Sequence, residues 1–327
     1  MTELKVNHKT WNLHKEFNIS RGSKSEAQTI EIAISKNKKI GIGECVPYSR
    51  YSETTSSVTK QIEDLRSKIE TNEISKSNLS SYIGPGAARN ALDCAFWDLS
   101  CKIENRDIWS ITNQVKPKKV ASCYTVVLDE VEKMILDAQK HSHFPLLKLK
   151  VNKNNLEKTL TGIRKVSPNS SIILDANESF NFQILRDNME LFLNLKIDLI
   201  EQPLPADDDD ELLNYDSPIP ICADESFHSL EDFNQTIKKY GSINIKLDKT
   251  GGLSEAFEIK KKAQKHNIII MVGCMVSTSL SMIPALTLCN NVAFIDLDGP
   301  IFLKKDIENG LIYNEGLIEI KDKNCWG

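Results

Sequence analysis

Residues 145–150 (PLLKLK), 171–177 (SIILDAN) and 198–203 (DLIEQP) begin a series of five apolar segments that end on charged residues. IPICADES at 219–226 and SINIKLDK at 242–249 continue it. From residue 150 the charges recur at 175, 201, 224 and 246, which are steps of 25, 26, 23 and 22 residues. A strand with its covering helix and turns needs about that length in an eight-unit βα barrel. Because the strands of such a barrel end at one mouth, we expect these charges to converge there.

Composition sets broad limits on function. The chain has 327 residues, 40% hydrophobic and 26% charged, with a net charge of −4 and a pI near 6.0. This balance gives no basic field for nucleic acid or an anionic membrane, so neither partner is expected. No apolar run approaches a membrane span, and the polar start MTELKVNHKT lacks a signal-peptide core. Eight cysteines without a CxxC pair are interpreted as reduced buried thiols, in preference to zinc ligands or disulfides. We therefore expect a cytoplasmic protein.

Two domains are predicted. Residues 1–115 alternate as three strands around the turn-like NISRGSKSE, then show helical spacing over 54–73 and from Ala87, which indicates an α+β capping domain. Residues 116–299 form the barrel, with strands starting near 121, 146, 171, 198, 219, 242, 267 and 292. The alternating segment 300–327 has no room for another full helix and is expected to return to the first domain. The fold class is thus α/β, a modified TIM barrel of (β/α)7β type behind an α+β cap.

Three carboxylates close successive barrel strands: Asp175, Glu201 and Asp224. Any one of them alone is more simply interpreted as a helix cap. Together at one mouth they would repel one another, and burial would raise that cost. A divalent cation relieves both problems, and oxygen ligands favour Mg²⁺. We expect a magnesium site.

Lysines mark two other strands. Lys148 and Lys150 are two residues apart and share one face of their strand, and Lys246 closes a strand across the barrel. The alternative is surface lysine, which fits Lys249 and Lys153. Two ammonium groups in an apolar strand are costly, however, unless they face the site. A lysine beside Mg²⁺ and another ammonium has a lowered pKa and becomes a usable base near neutral pH.

The order KxK, DxN, EQP, DES and NIKLDKTGG resembles the enolase superfamily, in its muconate-lactonising subgroup. Enzymes of that superfamily use a Lys or His base together with Mg²⁺. The resemblance covers nearly the whole chain and implies a capped barrel of seven helices and eight strands. It implies metal ligation by Asp175, Glu201 and Asp224. Lys150 and Lys246 match the two acid/base residues, and Lys148 matches the lysine that supports the enolate oxygen.

The end of the eighth strand, AFIDLDGP, places Asp296 and Asp298 on one face. Alone, such acids would be helix-cap or turn residues. The DxD pair is similar to that of dipeptide epimerases, where it holds the substrate's α-ammonium group. SRGSKSEA, GECVPYSRY and GCMVSTS strengthen this similarity. The resemblance implies an isomerase that inverts the α-carbon of a dipeptide's C-terminal residue by two-lysine 1,1-proton transfer through an enolate, with peptidoglycan-derived Ala-Glu as the default substrate.

Further substrate contacts are expected by the same resemblance. Arg21, in a cap loop that closes over the site, could pair with a glutamate side chain, although Arg50 and Lys24 are rivals and a solvated arginine is the simpler interpretation. The pocket is expected to include three smaller residues, which are Thr125, Cys274 and Ser277. Two other functions stay open: a muconate-cycloisomerase-like or o-succinylbenzoate-synthase-like enzyme, and a non-catalytic peptide- or metal-binding module. The sequence also leaves open whether the chain forms a homo-oligomer.

Overall fold

The cap begins with an antiparallel sheet in the order β1-β2-β3. This computed structural model describes residues 2–320 and 325–327. The strands are β1 (Glu3–Ile19), β2 (Gly22–Lys36) and β3 (Lys39–Cys45). The segment predicted as a broad turn is mostly strand: Ile19 pairs with Gly22, so the chain reverses at Ser20 and Arg21 alone. The hairpin is therefore longer than expected.

Helices cover one face of this sheet. They are α1 (Thr55–Asp64), α2 (Arg66–Glu70) and α3 (Ala87–Glu104). The short helix α4 (Ile108–Ile111) follows α3, and its buried side chains belong to the core of the barrel. Isoleucines 30, 32 and 34 alternate into the core of the cap and are fully buried there. The alanine-rich face of α3 lies so close to β3 that a Cβ on Gly43 would be 2.1 Å from the Ala91 carbonyl oxygen. This close packing fixes the cap as a rigid unit.

The barrel consists of eight parallel strands. After the short strand β4 (Lys119–Ala121), they are β5 (Tyr124–Val126), β6 (Leu146–Lys150), β7 (Ser171–Asp175), β8 (Leu199–Glu201), β9 (Ile221–Ala223), β10 (Ser242–Ile245), β11 (Ile269–Gly273) and β12 (Phe294–Asp296). Cys123 N donates to Ile295 O at 2.9 Å and joins the first edge to the last. The predicted fold class is confirmed, and every predicted strand start lies within three residues of the observed one.

The strands are connected by helices on the outside. These are α5 (Val131–Lys140), α6 (Leu156–Val166), α7 (Phe182–Asp187), α8 (Met189–Asn194), α9 (Phe233–Thr236), α10 (Leu247–Thr250), α11 (Leu253–Lys265) and α12 (Ser279–Leu286). The connection from β8 to β9 forms a short 3₁₀ helix, Asp210–Asn214, in place of an α-helix. In the sheet register Lys150 pairs with Asp175, and Asp175 with Glu201. These side chains therefore lie at one level of the barrel mouth.

The end of the chain ties the two parts together. Strand β13 (Ile312–Asn314) pairs with β14 (Leu317–Glu319), which pairs with β4. Beyond residues 321–324, Trp326 Nε1 donates to Cys94 O at 3.1 Å and Gly327 N donates to Asp98 Oδ1 at 2.9 Å. The last residues thus contact α3 of the cap. Across the described ranges, no helix has the length and hydrophobicity required to span a bilayer.

Polar contacts from α3 and the end of β3 dock the cap on the barrel. Arg89 donates to the backbone oxygens of Gly251 and Thr250 at 3.1 and 2.7 Å. Val46 N donates to Asp248 Oδ1 at 3.0 Å. Gly251 has φ 72°, which glycine adopts without strain, and a Cβ there would clash with Arg89. The cap is therefore docked on the short helix that directly follows Lys246.

Candidate active site

A cavity of about 980 Å³ lies between the cap hairpin and the carboxyl ends of the barrel strands. Residues from both parts line it. The charged residues that line it include Arg21, Lys24, Arg50 and Glu53 from the cap, and Lys148, Lys150, Asp224, Glu225, Lys246, Asp296 and Asp298 from the barrel. This is the mouth where the strand-end charges were predicted to converge.

One ammonium group reaches three carboxylates at the centre of this mouth. Lys148 Nζ lies 3.0 Å from Asp175 Oδ2, 2.7 Å from Glu201 Oε2 and 2.7 Å from Asp296 Oδ2. Lys148 is 2% exposed, and Asp175 and Glu201 are fully buried. Burial works against the charge of Lys148, but the three carboxylates, led by Asp175, outweigh it and raise its pKa. Two of the three predicted metal ligands, Asp175 and Glu201, therefore meet around a single cation together with Asp296, whereas Asp224 pairs with Lys246 and Lys249.

The residues present fit a magnesium ion. Glu201 Oε2 is buried and has no hydrogen-bond partner, although Lys148 supplies a nearby charge. Burial, and then the charge of Asp175, raises the pKa of Glu201 to about 7, so one ammonium does not balance these acids. Asp224 lies in the same electrostatic cluster, since its charge acts on both Lys148 and Glu201. Buried carboxylate oxygens with excess negative charge are the ligand set that Mg²⁺ prefers.

The two other predicted lysines approach from opposite sides. Lys150 ends β6 and donates to Asp175 Oδ2 at 2.6 Å, while Lys246 follows β10 and donates to Asp224 Oδ2 at 2.6 Å. Three strands separate β6 from β10 on one side, which places the lysines across the eight-stranded barrel from each other. Burial opposes the charge of Lys246, but Asp224 outweighs it and raises the pKa. The lower pKa expected for a base beside Mg²⁺ stays a prediction.

Asp224 is held at both its backbone and its side chain. Lys249 Nζ donates to the Asp224 backbone oxygen and to Oδ1, both at 2.6 Å. Gln202 Oε1 accepts the N–H groups of Asp224 and Ser226 at 2.9 and 3.0 Å. Lys249 is 2% exposed, so its interpretation as a surface lysine is wrong. Gln202, in the EQP segment, and Lys249 are functional neighbours that the sequence reasoning missed.

Asp296 and Asp298 form the acidic end of the cavity, and both are 4% exposed. Asp298 Oδ2 accepts the Thr125 N–H at 2.7 Å, and the Cys123 thiol donates to Asp296 Oδ1 at 3.0 Å. Burial opposes ionisation of Asp296, but Lys148 outweighs it and lowers the pKa. Burial, and then Asp296, raises the pKa of Asp298 to about 7. The pair therefore holds one firm negative charge and a second that titrates near neutral pH.

Among the cap cations, Arg21 and Arg50 are already paired. Arg21 lies 2.7 Å from Glu178 and 2.5 Å from Glu225, and Arg50 lies 2.7 Å from Glu178. Lys24 has its ammonium 4.9 Å from the ring centre of Tyr48, with no carboxylate partner in residues 2–320 and 325–327. Burial lowers its pKa. Both Arg21 and Lys24 line the cavity, but only Lys24 has a charge left to offer.

Of the three smaller residues predicted to line the pocket, two line the cavity and one does not. Thr125 and Cys274 line the cavity. Ser277 does not; it is fully buried, and its hydroxyl donates to the Met275 carbonyl at 3.0 Å. The loop that carries it points Met275 and Val276 into the cavity instead. Ser277 therefore lies outside the cavity lining.

Known proteins are similar to this chain in sequence. Residues 1–111 match the mandelate racemase / muconate lactonizing enzyme N-terminal domain, and residues 127–326 match the enolase C-terminal domain-like family. The L-Ala-D/L-Glu epimerase of Escherichia coli K12 is 37% identical over 98% of this chain and 100% of its own. The N-acetyl-D-glutamate racemase of a Pseudoalteromonas species is 40% identical over 91% of this chain and 95% of its own.

Solved structures are also similar to this chain. An enolase family member from Agrobacterium tumefaciens with homology to dipeptide epimerases, bound to sodium and L-Ala-L-Glu, is 39% identical, covers 100% of both chains and has a TM-score of 0.96. The dipeptide epimerase of Methylococcus capsulatus, complexed with Mg and L-Arg-D-Lys, is 26% identical, covers 98% of this chain and 96% of its own, and has a TM-score of 0.88.

Proposed function

The chain belongs to the mandelate racemase / muconate lactonizing enzyme family of the enolase superfamily, and on this basis we propose that it is a Mg²⁺-dependent dipeptide epimerase. The observation that carries the proposal is the placement of Lys150 and Lys246 on opposite sides of one carboxylate cluster. A module that only binds a peptide or a metal has no need of bases on two faces. An enzyme that inverts a carbon centre needs both.

The proposed metal ligands are Asp175, Glu201 and Asp224, with Lys148 among them. When bound, Mg²⁺ supplies positive charge beside the substrate carboxylate and so makes the α-proton acidic enough to remove. Lys150 and Lys246 then hold the two proton positions. One amine takes the α-proton from its face of the carbon, and the opposite ammonium delivers a proton from the other face. The product has the inverted configuration.

The acidic pair, Asp296 and Asp298, binds the amino end of the proposed substrate. Asp296 and Asp298 are buried and aimed into the cavity, where a peptide α-ammonium would neutralise them. An N-acylated amino acid has no such ammonium. It would leave the charge of Asp298 without a cationic partner, because Lys148 already pairs with Asp296. This disfavours the cycloisomerase and synthase alternatives as well, since their substrates are anionic.

Lys24 extends the proposal to the substrate side chain. Because Glu178 and Glu225 already neutralise Arg21 and Arg50, Lys24 is the cap cation available to a second carboxylate. We therefore assign the contact with an acidic C-terminal side chain to Lys24 and not to Arg21. A dipeptide with a free amino end and a C-terminal glutamate satisfies the metal, the acidic pair and Lys24 together. Ala-Glu of peptidoglycan origin is the proposed substrate, and a cytoplasmic location stays part of the proposal.

A second candidate is N-acetylglutamate racemisation, favoured by the similarity to the Pseudoalteromonas enzyme. Parallel incubations of L-Ala-L-Glu and N-acetyl-L-glutamate with Mg²⁺ in D₂O separate the two. NMR should show loss of the α-proton signal and inversion for the dipeptide. Its kcat/KM should be at least about tenfold above that of the N-acetyl compound, which cannot make the charge-assisted hydrogen bond to Asp298. Faster turnover of the N-acetyl compound would reject dipeptide epimerisation in favour of racemisation.

A further inference from the structure

Lys249 has an environment that charge balance alone does not explain. Its side chain is fully buried, in the short helix α10 that directly follows Lys246. Its hydrogen bonds go to the backbone oxygen and the Oδ1 atom of one residue, Asp224. Burying an ammonium group is expensive, so a lysine is retained in such a place only where its bonds are needed.

Another buried lysine shows what a purely structural role is like. Lys260, in α11, is 7% exposed and donates to the carbonyl oxygens of Leu288 and Asn290, which ties the helix to a loop outside the site. Lys249 differs because one of its two bonds is to a carboxylate in the cavity. It therefore fixes the rotation of that carboxylate as well as the backbone beneath it.

The two oxygens of Asp224 have different partners. Oδ1 is held by Lys249, and Oδ2 is held by Lys246, each at 2.6 Å. Lys246 must turn to the substrate to transfer a proton. Lys249 does not line the cavity, and within the described residues its hydrogen-bond acceptors all belong to Asp224. Oδ2 is thus the oxygen that becomes free to ligate a metal, and Oδ1 stays engaged.

We propose that Lys249 is a positioning residue that limits Asp224 to one ligating oxygen and thereby makes the site selective for Mg²⁺ over Ca²⁺. The inference rests on the proposed function, because it takes Asp224 as a metal ligand. Mg²⁺ requires near-octahedral geometry with short bonds, whereas Ca²⁺ accepts bidentate carboxylates and more ligands. With Oδ1 withheld, a bidentate Asp224 is unavailable, which penalises the larger ion.

The test compares Mg²⁺ and Ca²⁺, which carry equal charge. Loss of the Lys249 ammonium charge changes the affinity for both ions alike, so this effect cancels in the ratio of their dissociation constants. Calorimetric titration of wild type and K249M with Mg²⁺ and with Ca²⁺ gives the ratio of the two dissociation constants. In K249M the preference for Mg²⁺ should fall about tenfold, the lower end of the effect of losing a partner of a metal ligand. K249Q keeps an amide donor and should lose less. It also serves as the test variant if K249M does not fold.

The matched control is K260M, which loses a buried ammonium outside the site and should leave the ratio unchanged. Equal weakening or strengthening of both ions in K249M would overturn the positioning role, as would a wild type without preference for Mg²⁺. A wild type that binds neither ion would reject the proposed metal site itself. The failure of the inference is therefore distinguishable from the failure of the proposed function.

Discussion

Substrate binding should be linked to the ionisation of Asp298. Burial, and then Asp296, raises the pKa of this carboxyl to about 7, so it is partly protonated near neutral pH. A substrate ammonium favours the ionised form and lowers that pKa in the complex. The affinity for the substrate is therefore highest above pH 7 and weakens as the pH falls through 7. Asp296 contributes little to this dependence because Lys148 keeps its pKa below the usual range.

The size of the effect follows from the ionised fraction. With a pKa near 7, about three quarters of the Asp298 side chains are ionised at pH 7.5 and about one tenth at pH 6. The inhibition constant of a ligand that needs the ionised form should therefore rise about eightfold between pH 7.5 and pH 6. A peptide amino group with a pKa of about 8 is about one quarter deprotonated at pH 7.5, which reduces the observed rise to about sixfold.

The assay uses L-alanyl-2-aminoisobutyrate, a dipeptide without an α-proton at its C-terminal residue, as a competitive inhibitor of L-Ala-L-Glu epimerisation. Its N-acetyl derivative lacks the ammonium and should show no such rise. The D298N variant should bind the inhibitor more weakly at pH 7.5 and show a flat profile. A flat profile in wild type, or the same slope with the N-acetyl derivative, would refute the assignment of Asp298 to the ammonium group.

Three other predictions concern the cap and its docking. K24M should lower kcat/KM for L-Ala-L-Glu about tenfold more than for L-Ala-L-Gln, as expected for loss of one charge-assisted hydrogen bond; an equal loss for both dipeptides would exclude a side-chain contact. Burial raises the pKa of Asp248 to about 7 although Asn90 donates a hydrogen bond to it at 2.8 Å. The folded state therefore binds more protons than the unfolded state from about pH 4 to 7, and wild type loses stability as the pH rises through that range. The advantage of D248N in urea unfolding should therefore grow by about 2 to 3 kcal/mol from pH 5 to 8, and a constant difference would contradict the pKa. G43A should lower the free energy of unfolding by about 3 kcal/mol, since its Cβ would lie 2.1 Å from Ala91 O, and a smaller loss in thermal unfolding would show that α3 moves aside easily.

Much of the barrel could be predicted because its signal is local. Apolar runs of strand length recur at the spacing of βα units, and each strand ends where a charge interrupts the run. Position along the strand then places Lys150, Asp175 and Glu201 at one level, as the register shows. The convergence of acids and lysines follows from the topology without any knowledge of individual contacts.

Other features depend on tertiary contacts that no local pattern encodes. Lys249 lies in a polar-looking segment, KLDKTGG, and its burial depends on Asp224, 25 residues away. Arg21 looks like a free cap cation in the sequence, but Glu178 and Glu225 neutralise it across the cavity. Ser277 looks like a pocket hydroxyl until the loop geometry turns it to Met275. For Lys249 and Arg21 the role of the side chain is decided by a partner on another element, and for Ser277 by the conformation of its own loop.

The central claim is that two lysines serve opposite faces of one carbon, and half-reactions in D₂O test it most directly. K150A and K246A should each abolish epimerisation while folding normally. With L-Ala-L-Glu and L-Ala-D-Glu as separate substrates, one variant should exchange the α-proton of only one isomer, without inversion, and the other variant only that of the opposite isomer. Exchange of the same isomer by both variants, or full epimerisation by either, would contradict the account.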